Sequence, residues 1–126
     1  MTEAEVYATI GEQGFVNLIR AFYRQIPTDS ILGPMYPSQD LTGAEERLRE
    51  FLVGRFGGPL RYMEQRGHPR LRMRHAPFAV DAAARNRWME LMRRALDEVG
   101  FPVEVRGILE PYFEQTATSM INRAPD

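Results

Sequence analysis

Between residues 81 and 120 the chain keeps one helical period through a single interruption, and that pattern leaves few folds open. Ala84, Trp88, Leu91, Met92, Ala95, Leu96 and Val99 recur at spacings of three and four, with Arg85, Arg87, Glu90, Arg93, Arg94 and Asp97 on the other side. Asp81 stands where an N-cap belongs, Gly100 where a helix stops and Pro102 where the next begins. The period then resumes through Val105, Ile108, Leu109, Tyr112, Thr116 and Met120. Two long half-apolar helices joined this closely must bury their stripes against further helices, because no useful stretch shows the alternation of a strand. The spacing predicts an all-α chain. Pro111 falls inside the last helix and is expected to kink it or to remove one backbone hydrogen bond.

The earlier segments supply the helices those stripes need. Thr2 and Glu5 have the spacing of a capping box, opening a helix of only a few turns with Val6 and Ile10 on one face. After Gly11 and Gly14 a second stripe runs through Phe15, Leu18, Ile19, Phe22 and Ile26, with Tyr23 beside it. Pro27, Gly33, Pro34 and Pro37 break regular structure and leave room for one short turn over 30–32. Thr42 with Glu45 repeats the capping pattern and opens a third helix, its inner face Ala44, Leu48, Phe51 and Leu52, ended by Gly57-Gly58-Pro59. From Leu60 to Pro77 the chain is Arg-rich and irregular, with at most short helical turns around Tyr62 and Leu71.

Composition narrows the classes of function. A chain of 126 residues, 44% hydrophobic and 26% charged, reads as one domain over 1–126 with a core of its own. Its formal net charge of −1 provides no broad basic surface for nucleic acid. Every basic residue is Arg and none is Lys, which fits a coding bias and by itself assigns no function. The absence of Cys excludes disulfides, thiolate zinc sites, iron–sulfur clusters and Cys nucleophiles. An acidic opening and the lack of any apolar run of membrane-spanning length point to a cytoplasmic protein that does not enter membranes.

Few chemistries remain. With two His and no paired carboxylates on a common inner face, most catalytic constellations cannot be assembled, and Gly57-Gly58 lacks the Lys-Ser/Thr of a phosphate loop. His75 has two readings on local sequence: a capping or surface residue near a helix end, or a single ligand to an iron whose equatorial positions a porphyrin fills. His68, between Gly67 and Pro69, reads as a surface loop residue. Tyr23, Tyr36 and Trp88 place polar tips near the apolar faces of three separate segments. Leaving such a donor buried and unpaired costs about 1–3 kcal/mol, so each needs a partner, for which a backbone carbonyl or the surface suffices.

Together these residues resemble the truncated haemoglobins, specifically the second group of that family, over nearly the whole chain. The resemblance is most specific in Leu41-Thr42-Gly43-Ala44-Glu45-Glu46-Arg47-Leu48-Arg49, in Tyr62, and in the run from Gln65-Arg66-Gly67-His68-Pro69 to Arg72-Met73-Arg74-His75-Ala76-Pro77-Phe78. Phe22-Tyr23, Tyr36-Pro37 and Trp88 also match. The resemblance implies a globin-like, two-over-two helical sandwich in which a loop replaces most of the proximal helix. It implies haem b, iron protoporphyrin IX, with His75 as the proximal ligand. Phe51, Leu52, Leu71, Met73, Phe78 and Met92 are then expected on the haem walls, and Arg47, Tyr62 and Arg72 at the propionates. Tyr23, Tyr36 and Trp88 become distal donors, Ala44 leaves a small side chain where many globins carry a distal His, and Leu48 limits ligand space.

Three functions compete. The first is reversible binding of dioxygen, with nitric oxide and carbon monoxide as further ligands. The second is redox catalysis at the same iron, peroxidase-like with peroxide or oxidising nitric oxide, which needs an electron-donating reductase. The third, from a different class, is a haem-free helical interaction module.

Overall fold

The computed structural model describes residues 1–36, 38–75 and 78–123, apart from the side chains of Ser38 and Arg72. Every regular element among them is helical. Four long helices make the frame: α1 (Glu5–Tyr23), α2 (Leu41–Arg55), α5 (Ala82–Val99) and α6 (Val103–Ser119). Two short ones, α3 (Arg61–Arg66) and α4 (Leu71–His75), lie between the pairs. Helix α1 packs on α2 and on α5, and α5 packs on α6, so one pair of helices lies over the other. No helix among the described residues is long and apolar enough to cross a membrane.

The stripes become the core. Phe15, Leu18, Ile19 and Phe22 of α1, with Leu91, Met92, Ala95 and Leu96 of α5, are at most 1% exposed. Burying side chains of this size stabilises the fold by roughly 1.5–3 kcal/mol each. Aromatic rings connect the layers: Phe56 stands edge-on to Tyr112 at 5.0 Å, and Phe22 meets Trp88 at 5.1 Å. Met89, outside the stripe read from sequence, is also fully buried.

The sequence places the second half of the chain closely and the first half less so. Asp81 caps α5 by accepting the Ala84 N–H at 2.8 Å, and Gly100 closes it in the left-handed conformation. The expected break after Val6 and Ile10 is instead a kink within α1 at Gly11, whose φ of 68° and ψ of 178° favour glycine. The helix then stops at Tyr23, leaving Ile26 buried in the following turn. Thr42 is not a cap: α2 begins one residue earlier, after Asp40, and no side chain caps it. At Thr2 the box is half made, since both the Thr2 N–H and its hydroxyl donate to Glu5 Oε1. Pro111 does not interrupt α6. Pro111 and Gly107 are both exposed, so the carbonyl that loses its helical donor can bond to water.

Candidate functional site

A cavity of about 380 Å³ opens where α2, α4, α5 and α6 meet the segment around Tyr36, within the size range of ligand pockets. Its walls are mostly apolar. Ala44, Leu48, Phe51 and Leu52 enter it from one face of α2, as spacings of three and four on a helix require. Leu71 and His75 enter from α4, four residues apart and so on the same face. Tyr62, Phe78, Tyr23, Tyr36, Arg47 and Trp88 also line it.

His75 is oriented by its own helix. Its Nδ1 lies 2.7 Å from the Leu71 carbonyl oxygen, a contact that makes Nδ1 the protonated nitrogen and leaves Nε2 with a free lone pair. No hydrogen bond engages Nε2 among the described residues. An imidazole fixed in this way is a ready metal ligand.

The polar-tipped aromatics gather in one place. Tyr23 stands edge-on to Tyr36 at 5.7 Å, and its hydroxyl donates to the Ala44 carbonyl at 3.3 Å. Burial pushes the Tyr36 phenol up to about 12, with the adjacent Trp88 indole opposing in part. Burial likewise raises the Tyr23 phenol far above its ordinary range, helped by Tyr36 and opposed by Arg47. Both hydroxyls therefore keep their protons, and their capacity to donate, at any physiological pH.

An ion pair with a buried carboxylate secures this cluster. Asp29, with only 2% of its side chain exposed, accepts Arg87 Nε at 2.5 Å and the N–H groups of Ile31 and Leu32 at 3.1 and 2.8 Å. Burial alone would raise its carboxyl, but the Leu32 N–H, the Arg87 guanidinium and the Ile31 N–H together hold it below the ordinary carboxylate value. The pair ties the turn leading to Tyr36 onto α5 one residue before Trp88. Nothing in the sequence marked Asp29, because an Asp in a Pro-bounded turn reads as exposed.

At the rim, Arg47 pairs with Asp40 at 2.8 Å. The two side chains close over Gly43, where a Cβ would lie 2.2 Å from Asp40 Oδ1 and would push that exposed carboxylate aside. Arg74 donates to the Tyr62 hydroxyl at 2.6 Å and lies over its ring at 5.7 Å. Sequence reasoning passed over Arg74 in favour of Arg72, whose side chain lies outside the described residues, as do Pro37, Ala76 and Pro77. Two wall residues need correction. Met73 is 65% exposed and away from the cavity, because two residues along a helix turn it to the face opposite Leu71 and His75. Met92 is fully buried but does not line the cavity, lying one turn beyond Trp88 in the core.

This two-layer helical sandwich, with one imidazole and a tyrosine–tryptophan cluster around an apolar cavity, has the architecture of the truncated globins it superposes on. The chain belongs to the bacterial-like globin family, whose pattern it matches over residues 5–122. It is 38% identical to the group 2 truncated hemoglobin YjbI of Bacillus subtilis (strain 168) over 117 residues, 93% of this chain and 88% of that one. Among solved structures, a thermostable hemoglobin from the actinobacterium Thermobifida fusca superposes with a TM-score of 0.91 at 46% identity, covering 99% of this chain and 100% of that one. A truncated oxygen-avid haemoglobin from Bacillus subtilis superposes with a TM-score of 0.88 at 37% identity, covering 93% and 98%.

Membership implies a haem cofactor. The residues present fit one: apolar walls for the macrocycle, an imidazole nitrogen without a partner for the iron, and Arg47, Arg74 and Tyr62 at the rim for two carboxylates.

Proposed function

We propose that this globin binds dioxygen, and with it nitric oxide and carbon monoxide, reversibly at a haem b held by His75. The observation that carries the reading is the His75 Nδ1 contact to the Leu71 carbonyl, which aims the free Nε2 lone pair away from its own helix. The 126 residues contain no Cys, so no thioether link can hold the haem and coordination with apolar contact must do so. Bound haem supplies an iron centre open to diatomic gases.

The chain's own residues do the rest. His75 holds the metal from one segment, and Leu48, Phe51, Leu52, Leu71 and Phe78 exclude water from the macrocycle. Arg74 and Tyr62 hold its carboxylates, and Arg47 joins them by exchanging Asp40 for a propionate. Tyr36 and Trp88 present a hydroxyl and an indole N–H, and Tyr23 adds a second hydroxyl by exchanging the Ala44 carbonyl for the ligand, donors suited to a ligand that takes on partial negative charge. Ala44, too small to close the space beside them, leaves room for that ligand. Similarity to a haemoglobin described as oxygen-avid supports slow release.

Redox catalysis is the alternative use of the same site, and one observation weighs against its peroxidase-like form. His75 is paired with a neutral carbonyl and not with a carboxylate, so its imidazole receives less electron density to drive bond cleavage than a carboxylate would supply. Optical spectra of the ferrous protein with and without oxygen and carbon monoxide test gas binding. Turnover with hydrogen peroxide, or with nitric oxide and an electron source, tests the alternative. Reversible spectral change without turnover is the expected outcome, and sustained turnover would replace the proposal with an enzymatic one.

A further inference from the structure

The segment that carries His75 is held from outside by a residue 47 positions away, on the far side of α5 and α6. Asn122 lies just beyond α6, and all of its hydrogen-bonding groups but the carbonyl face this segment. Its Nδ2 donates to the His75 carbonyl at 3.1 Å and to the Phe78 carbonyl at 2.9 Å. Its Oδ1 accepts the Val80 N–H at 2.9 Å, and its own N–H donates to the Val80 carbonyl at 2.9 Å. The Arg123 N–H adds a second bond to that carbonyl at 3.1 Å.

Both donors and the acceptor oxygen of one side-chain amide are thus engaged on a single short stretch of backbone. Asn122 also supplies what α4 lacks. A helix of 5 residues holds its own geometry poorly, and beyond the Phe78 N–H, which reaches it across a turn at 2.9 Å, the His75 carbonyl at its end finds no backbone donor among the described residues. Met73 is largely exposed and Phe78 partly so, which leaves packing on the rest of the protein little hold on the end of the segment. Hydrogen bonds from Asn122 therefore set where the His75 backbone sits.

We infer that Asn122 is a positioning residue for the proximal ligand: by gripping the carbonyls of His75 and Phe78 it fixes the distance and tilt at which the imidazole meets the iron. The inference rests on His75 being that ligand. Asn122 touches neither haem nor gas, and it acts through the backbone of the residue that does.

Two variants of the haem-loaded protein test it. Asn122→Ala removes every side-chain bond, whereas Asn122→Asp keeps the volume and the acceptor for Val80 but loses both donors. The readouts are the iron–histidine stretching band in resonance Raman spectra of the ferrous form and the rate of haem transfer to apomyoglobin. Both variants are expected to shift or broaden the band and to lose haem about tenfold faster, the lower end of what a partner of a metal ligand contributes. A purely structural residue would lower the melting temperature and leave the band in place. An Asn122→Asp protein with the band and haem loss of the parent would overturn the inference while leaving His75 as the ligand. Absence of the band from the parent protein would instead remove His75 from the iron, and the inference with it.

Discussion

Tyr23 and Trp88 reach the cavity from helices of 19 and 18 residues, while His75 reaches it from a helix of 5. The wall that Tyr23 and Trp88 form is held mainly by packing, with the Arg87–Asp29 pair tying in the turn before Tyr36. Phe22 is fully buried beside Tyr23, and Trp88 contacts Phe22 at 5.1 Å and Phe113 at 5.8 Å. The proximal segment is held by directed bonds, from Leu71 within α4 and from Asn122 beyond α6. Packing is spread over many contacts, so a distal side chain can change without moving its neighbours far. A hydrogen-bonded segment has few supports, and each one sets the position of the residue it holds.

The largest expected effect falls on the proximal side. His75→Ala should weaken haem retention by at least about a hundredfold, since even the partners of metal ligands contribute up to that much; haem transfer to apomyoglobin measures it. Next comes the ion pair beneath the distal wall. Arg87→Met leaves Asp29 buried with only its two backbone donors, which should cost about 2–3 kcal/mol in denaturant unfolding. If packing does hold this wall, the variant still binds haem, and haem loss as rapid as in the His75 variant would erase the distinction between the two regions.

A smaller effect belongs to Trp88. Trp88→Phe keeps an aromatic ring against Phe22 and Phe113 and removes only the indole N–H, so oxygen release should accelerate roughly tenfold with haem affinity unchanged. An unchanged release rate would take Trp88 out of the donor set.

The smallest effects are those of pH. Tyr36, pushed up to about 12, and the still higher Tyr23 remain protonated, so oxygen release should be flat between about pH 5 and pH 9. Stability behaves differently. The Asp29 carboxyl is held below its ordinary value of 3.8, so its contribution is complete above that value and is lost as pH falls through the lower, folded-state value. Asp29→Asn should unfold with a shallower dependence on acid below about pH 4 than the parent.

What could be read from sequence divides along the same line. Periodicity reports packing, so the stripes of α1, α5 and α6, the inner face of α2 and the cap at Asp81 were legible before any coordinates. Side chains that act through hydrogen bonds leave no period. Asp29 in its turn, Arg74 beside His75 and Asn122 past the end of α6 look like ordinary surface residues until the fold brings their partners to them. Thr42 failed as a cap for a related reason: Asp40, at the cap position itself, is drawn away to Arg47, and the helix starts without a side-chain cap. Met73 was misplaced because its segment reads as irregular from sequence, and only the helix formed there turns Met73 away from Leu71 and His75. His75 had two readings on local sequence, and the resemblance to a family favoured one of them.

A crystal structure of the haem-loaded protein tests the central claim most directly. The account predicts iron bonded to His75 Nε2, with Nδ1 still donating to the Leu71 carbonyl. Iron fastened by any other side chain, with the His75 ring turned toward solvent, would contradict it.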